Sequence, residues 1–278
     1  MRTFFNTRTS VVNLSFSSTS HLNPNVWGVY PIVWQVEHFD AIDSTNTYLA
    51  GKARDGAPEG TVALTDFQTA GRGRLDRAWQ SPPRASLLCS ILLRPELEVD
   101  HLQLVVAAVA LAARAALVRL SGVRPQLKWP NDLVVGENKL AGVLAEVITT
   151  PSAVAIVVGL GINLTYEGPE GVAATSVLKE SGVTIAPRAL LDLVLEELES
   201  RRAQLNSREG HVVLRSEYER ALSTIGRNVR VETLGDVICG EATGVDDTGR
   251  LVVVVGGTVR AVSMGDVVHV RLNESELE

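Results

Sequence analysis

The sequence predicts an α/β (α+β) domain, a mixed sheet with helices, followed by a small all-β domain. Three observations carry that prediction. Short apolar, β-branched runs alternate with helical stretches from Gln35 to Leu222. From Arg227 to Arg271 the pattern changes to valine-rich runs punctuated by Leu234-Gly235-Asp236, Asp246-Asp247-Thr248-Gly249 and Gly256-Gly257. At 278 residues and 45% hydrophobic, the chain is long and apolar enough for one large core and one small one, which excludes disorder or fibre as a description of the whole. The expected organisation is an irregular leader over 1–34, a main domain over 35–223 and a β-barrel or β-sandwich over 224–278.

Each element follows from local chemistry. Met1 to Trp34 is rich in Ser, Thr and Asn, contains Arg2, Arg8, Pro24 and Pro31, and has no acidic residue. That composition fits an organellar transit peptide, an unstructured leader or an over-long start, and the absence of a clear amphipathic helix favours the last two. Gln35 to Ile42 reads as a strand. Asp43-Ser44 offers an N-cap for a helix from Thr45 to Ala53, stopped near Gly56 and Pro58. Thr61 to Thr65 and Ala85 to Leu93 are strand-like and flank a long polar loop. His101 to Leu120 is an Ala/Val/Leu helix with too few polar residues for a solvated face, so it is expected to be buried; its most apolar stretch, Leu102 to Ala113, falls short of a membrane span. Leu127 to Trp129, Leu133 to Val135, Ala141 to Ile148 and Val154 to Leu164 follow as strands. Pro187 opens an amphipathic helix with Leu190, Leu191, Val194, Leu195 and Leu198 inward and Glu196, Glu197, Glu199 and Arg201 outward. A last helix runs from about His211 to Leu222.

Charge and cysteine usage narrow the function. A formal net charge of −6 argues against a surface built to neutralise many phosphates and leaves room only for a local basic loop. Cys89 and Cys239 lack disulfide or zinc spacing and read as small core residues in a reducing compartment.

Four constellations could carry chemistry. Gln68-Thr69-Ala70-Gly71-Arg72-Gly73-Arg74-Leu75-Asp76-Arg77 places three guanidinium forks on a backbone loosened by glycines, which suits a phosphate or carboxylate ligand and equally describes a solvated charged turn. It is not a Walker loop, because no Gly-x-x-x-x-Gly-Lys-Ser/Thr occurs in the chain. Lys128-Trp129-Pro130-Asn131-Asp132 with Lys139-Leu140-Ala141-Gly142 brings two lysines and oxygen ligands together on a hairpin, as a phosphate and magnesium site or as a surface turn. Gly159-Leu160-Gly161-Ile162-Asn163 lacks the third glycine and following helix of a dinucleotide fingerprint, so its glycines read instead as room for a ligand beside a strand. Asp43-Ser44-Thr45-Asn46 is either a polar head-group site at a helix N-terminus or a plain cap.

In this order, Ser44-Thr45-Asn46, the Gly71-Arg72-Gly73-Arg74 loop, Lys128-Trp129-Pro130-Asn131-Asp132, Lys139-Leu140-Ala141-Gly142 and Gly159-x-Gly161-Ile162-Asn163 resemble the biotin protein ligases. The resemblance covers nearly everything after the leader. It implies a catalytic domain related to class II aminoacyl-tRNA synthetases and a C-terminal SH3-like β-barrel. It also implies a two-step reaction: biotin and ATP, with Mg2+ supplied alongside ATP, give biotinyl-5′-adenylate, and a lysine of a biotin carboxyl carrier protein or carrier domain then takes the biotinyl group.

By that resemblance, Ser44, Thr45, Asn46 and Gln68 meet the ureido ring, with Arg72, Gly73, Arg74 and Lys139 completing the biotin site. Arg72 and Arg74 close over the adenylate, and Lys139 and Arg74 are the catalytic pair. Trp79, Lys128, Asn131, Asp132, Gly161 and Asn163 serve ATP or the adenylate, with Lys128, Asn131 and Asp132 serving the triphosphate and its metal; no metal is resident in the protein, since Mg2+ arrives with ATP. Two features depart from relatives: Asp76 stands where some have glycine, and the leader is too short for a winged helix-turn-helix, so DNA binding is not expected. A cytoplasmic enzyme without a membrane partner is implied, and a homodimer is compatible with it. The rivals are a lipoate or octanoate transferase of related fold and a non-catalytic biotin or nucleotide sensor.

Overall fold

The computed structural model describes residues 7–12, 32–149, 154–233, 235–263 and 265–269. A mixed sheet is built from β1 (Thr7–Val12), β2 (Trp34–Phe39), β3 (Thr61–Thr65), β4 (Ser86–Leu93), β5 (Gln126–Lys128), β6 (Asp132–Val135), β7 (Asn138–Thr149) and β8 (Val154–Asn163), in the order β1-β2-β3-β4-β8-β7-β6-β5. Only β2 and β3 are parallel. The other neighbours are antiparallel, and short turns join β5 to β6 and β6 to β7, as the sequence patterns predict.

Two groups of helices cover opposite faces of this sheet. α1 (Thr45–Arg54) packs on β3, β4, β7 and β8 from one side. α2 (Leu102–Ser121), α4 (Pro187–Gln204) and α5 (Arg208–Ala221) form the other layer, with α2 innermost. Every residue of α2 from Leu104 to Ala113 is buried, because sheet and helices enclose it on all sides. Each buried Val or Leu there contributes ~1.5–3 kcal/mol relative to an exposed position. The helix ends at Gly122, whose φ of 75° is open to glycine without a Cβ penalty.

Several sequence expectations need correction. Thr7–Val12, read as irregular leader, forms an edge strand paired to β2, held by backbone bonds that need no apolar period, and Ser10 accepts from Arg188. α2 runs the full 20 residues to Ser121, so by length and composition it could cross a bilayer; burial in this core explains its apolarity instead. Glu199 and Arg201, expected on the solvated face of α4, are buried, Glu199 paired with Arg202 at 2.7 Å and Arg201 with Glu217 at 2.7 Å. A short helix, α3 (Val177–Ser181), was not anticipated; it is capped by Ser176, whose side chain accepts from Lys179 N.

The C-terminal strands are β9 (Arg227–Glu232), β10 (Val237–Val245), β11 (Leu251–Val255), β12 (Thr258–Val262) and β13 (Asp266–His269). They form an antiparallel sheet in the order β12-β11-β10-β9-β13. The expected barrel is therefore a five-stranded sheet that does not close among the described residues, since no ladder joins β12 to β13. Cys239 corrects the cysteine reading: alternation along β10 buries Ile238 and turns Cys239 outward, whereas Cys89 is buried. The two sheets are tied together at Trp129, whose backbone N–H donates to Thr224 Oγ1 and whose indole Nε1 donates to Gly249 O.

Candidate active site

A cavity of about 530 Å³ opens on the α1 side of the large sheet, walled by β4, β7 and β8, the 71–79 loop, the 128–132 hairpin and the start of β13. Ser44, Thr45, Asn46, Gln68, Arg72, Gly73, Arg74, Trp79, Lys128, Asn131, Asp132, Lys139, Gly161 and Asn163 all line it. Residues separated by more than a hundred positions are thus brought to one concavity.

The deep end is polar, and its side chains bond to one another. Ser44 caps α1, its side chain accepting from Thr47 N, which points the helix N-terminus and the next two side chains at the cavity. Gln68 Oε1 accepts from Thr45 N at 2.8 Å and from Thr45 Oγ1 at 3.1 Å. Ser90 Oγ, completely buried on β4, lies 2.7 Å from Thr45 Oγ1 and 2.6 Å from Asn46 Oδ1. Asn46 Nδ2 donates to Glu146 Oε2 at 2.7 Å and to Leu144 O at 3.3 Å.

The arginine loop folds as a small hairpin. Trp79 N donates to Gly71 O and Gly73 N to Arg77 O, and Arg77 N closes the tip on Arg74 O at 3.1 Å. Leu75 and Asp76 sit at φ 52° and 57°, the two positive values that a primed hairpin turn requires. Asp76 therefore stands at a position where glycine fits freely and aspartate is among the tolerated residues. Arg72 forks onto Glu146, with Nη2 2.8 Å from Oε1. Arg74 donates to Asn131 Oδ1 at 3.3 Å and to Gly265 O at 3.2 Å, while Arg77 pairs with Asp266. Burial lowers the Arg74 guanidinium from its usual value, partly offset by Asp132.

Lys139 Nζ lies 2.7 Å from Asp132 Oδ1 and 5.7 Å from the centre of the Trp79 ring, which fixes an ammonium on the cavity wall. Trp79 lies against the two paired glycines Gly142 and Gly161; a Cβ at Gly161 would stand 2.6 Å from Trp79 Cε2. Asn163 Nδ2 donates to Thr175 O and Asn131 Nδ2 to Val143 O, so both amides hold the backbone that frames the cavity. Cys89 borders it, but burial pushes its thiol up to about 12 and excludes a thiolate nucleophile.

Comparisons with known proteins identify the family to which this fold belongs. A family model described as the biotin/lipoate A/B protein ligase family matches residues 38–163, and one described as the biotin protein ligase C terminal domain matches 224–270. The biotin--[acetyl-CoA-carboxylase] ligase of Mycobacterium tuberculosis is 40% identical over 238 residues, spanning 82% of this chain and 86% of that protein. The chain belongs to the biotin protein ligases. The structure of the biotin protein ligase from Aquifex aeolicus in complex with biotin and ATP superposes with a TM-score of 0.73 at 27% identity, covering 85% of this chain and 98% of that one. The bifunctional ligase/repressor BirA of Escherichia coli is 30% identical over 233 residues, 81% of this chain and 71% of its own length.

Sequence reasoning passed over four residues of this ligase's cavity region. Ser90 interrupts the apolar run from Leu87 to Leu93 in β4, and Glu146 is the lone carboxylate of β7; a polar residue inside an otherwise apolar strand run is the signal that could have found them. Arg77 was noted only as part of the loop. Asp266 lies far away in sequence, and only folding brings it against the loop.

Proposed function

We infer that this biotin protein ligase builds biotinyl-5′-adenylate in the cavity and passes the biotinyl group to a lysine of a biotin carboxyl carrier protein. The observation that carries the site assignment is the hydrogen-bond order at the deep end. Gln68 Oε1 is turned to Thr45, which leaves its Nε2 as a donor, and Asn46 Nδ2 is turned to Glu146, which leaves Oδ1 as an acceptor. A cyclic urea, with one carbonyl and two N–H groups, needs both kinds of partner. A lipoyl or octanoyl chain offers this end no hydrogen-bonding head, and the buried polar groups would then lose their partners.

The chemistry follows from the groups nearer the mouth. In the first step a biotin carboxylate oxygen bonds to the α-phosphorus of ATP and the bond to pyrophosphate breaks. Lys139, released from Asp132 by a better anion, stabilises the charge that builds between carboxylate and phosphate. Lys128, Asn131 and Asp132 face the triphosphate. Asp132 and Asn131 bring a carboxylate and an amide oxygen, a donor set suited to a Mg2+ that keeps most of its ligands from phosphates and water and neutralises phosphate charge. Trp79 and the Gly142 and Gly161 backbone form a flat platform for the adenylate.

In the second step the acceptor amine attacks the mixed-anhydride carbonyl, the bond to the phosphate oxygen breaks, and AMP and a proton leave. Arg72 and Arg74 keep water from the anhydride until then. Exchange of labelled pyrophosphate into ATP tests the reading: it is expected to require biotin. Exchange driven by lipoate or octanoate, or none at all with biotin, would overturn it.

A further inference from the structure

Glu146 has no task in the reaction as described, yet its carboxylate holds two groups assigned to substrate. Oε2 accepts from Asn46 Nδ2 at 2.7 Å and from Arg72 Nη1 at 3.2 Å, and Oε1 lies 2.8 Å from Arg72 Nη2. The side chain is only 25% exposed, and a forked arginine plus a third donor sets it apart from a loose surface pair. An ionised carboxylate accepts and cannot donate, so the amide held against it must present its NH2. Asn46 Oδ1 is thereby turned the other way, to Ser90 Oγ and to the space beside Gly159 on the cavity floor. Leu144 O accepts from the same Nδ2 at 3.3 Å, a longer contact than the 2.7 Å bond to Glu146, so without Glu146 the amide orientation rests on that weaker acceptor alone.

We propose that Glu146 is a positioning residue for both halves of the site: it makes Asn46 an acceptor for a ureido N–H, and it anchors Arg72 so that the loop closes on the adenylate. The proposal rests on the biotin reading above. It also links the two functions physically: Gln68 Oε1 accepts from Thr45 N, the Thr45 and Ser90 hydroxyls can pass hydrogen bonds on to Asn46 Oδ1, and Asn46 Nδ2 and Arg72 both donate to Glu146, which joins the deep end to the loop.

Glu146→Gln tests it, because an amide of the same shape can donate to Asn46 Oδ1 and turn that residue round. The KM for biotin in pyrophosphate exchange is expected to rise ~10-fold or more while the KM for ATP stays within about twofold, with the thermal midpoint unchanged. Escape of biotinyl-adenylate into solution is expected to rise ~10-fold. The decisive measurement is a pair of double-mutant cycles. In an Asn46→Ala background, E146Q should no longer move the KM for biotin, and in an Arg72→Ala background it should no longer move escape. Additive losses in both cycles would overturn the proposal. Glu146→Asp keeps an acceptor-only charge and should fall between parent and E146Q; equal loss in both variants would show that charge is not what matters. A parent chain with no biotin-dependent exchange has a different signature, taking down the biotin reading itself.

Discussion

The two faces of the eight-stranded sheet are made by the same strands and share almost no chemistry. On β4, Leu87, Cys89, Ile91 and Leu93 enter the core beneath α2, while Ser90 between them bonds to Thr45 and Asn46. On β8, Val158, Leu160 and Ile162 are core, and the intervening Gly159, Gly161 and Asn163 border the cavity. On β7, Ala141 and Val143 face inward, and Gly142 and Leu144 line the open side. Period-two alternation allows one strand to serve both faces. The packed face is continuous hydrocarbon that holds backbone positions. The open face is hollowed by glycines and furnished with polar side chains that orient one another through hydrogen bonds. A rigid back is what allows the front to hold its groups within tenths of an ångström.

That contrast predicts that changes on the open face alter chemistry and spare stability, whereas changes on the packed face do the reverse. The largest effect is expected from Lys139→Ala. Losing a cation aimed at the reacting carboxylate and phosphate should slow adenylate formation by ~10²–10³-fold with the thermal midpoint little changed. Pyrophosphate exchange beside a melting curve measures both, and exchange above half the parent rate would remove Lys139 from the mechanism.

On the packed face, Leu111→Ala opens a cavity under the helix layer and is expected to destabilise the chain by ~2–5 kcal/mol in denaturant unfolding. The surviving folded fraction should keep the parent KM for biotin; a changed KM at low temperature would mean that the two faces are not separable.

Arg74→Gly comes next. It removes charge-assisted bonds to Asn131 and Gly265 and should weaken retention of the intermediate by ~10- to 100-fold, from contacts of ~1.5–3 kcal/mol. The variant is expected to consume ATP with biotin and to label bystander proteins at surface lysines. Incubation with an unrelated protein mixture beside the true acceptor reads this out, and labelling confined to the acceptor would disprove the retention role.

The smallest of the four is Gly161→Ala. A methyl 2.6 Å from the indole must push Trp79 off the strand, which should raise the KM for ATP roughly tenfold and leave the KM for biotin near the parent value. A matched rise in both would place Trp79 outside the adenylate site.

Local patterns alone determined most of the elements, because each rests on neighbours in the chain. Ser44 had to cap α1, Thr61–Thr65 and Ser86–Leu93 had to be strands, and the all-apolar α2 had to be enclosed. The site motifs were equally legible as residue types: the arginine loop, Lys128 with Asn131 and Asp132, Lys139, and the glycines of β8. Sequence could not decide which of these groups spend their bonds on one another. Burial of Glu199 and Arg201, exposure of Cys239, the pairing of Thr7–Val12 to β2 and the open C-terminal sheet all depend on which surfaces meet. Ser90, Glu146 and Asp266 belong to the same class. Each sits in a strand whose apolar pattern is complete without it, and its meaning comes from a partner at least 40 residues away: Asn46 for Ser90, Arg72 for Glu146, Arg77 for Asp266. A hydrogen bond is directional and short-ranged, so its existence is settled by the final placement of two backbones and cannot be read from either segment alone.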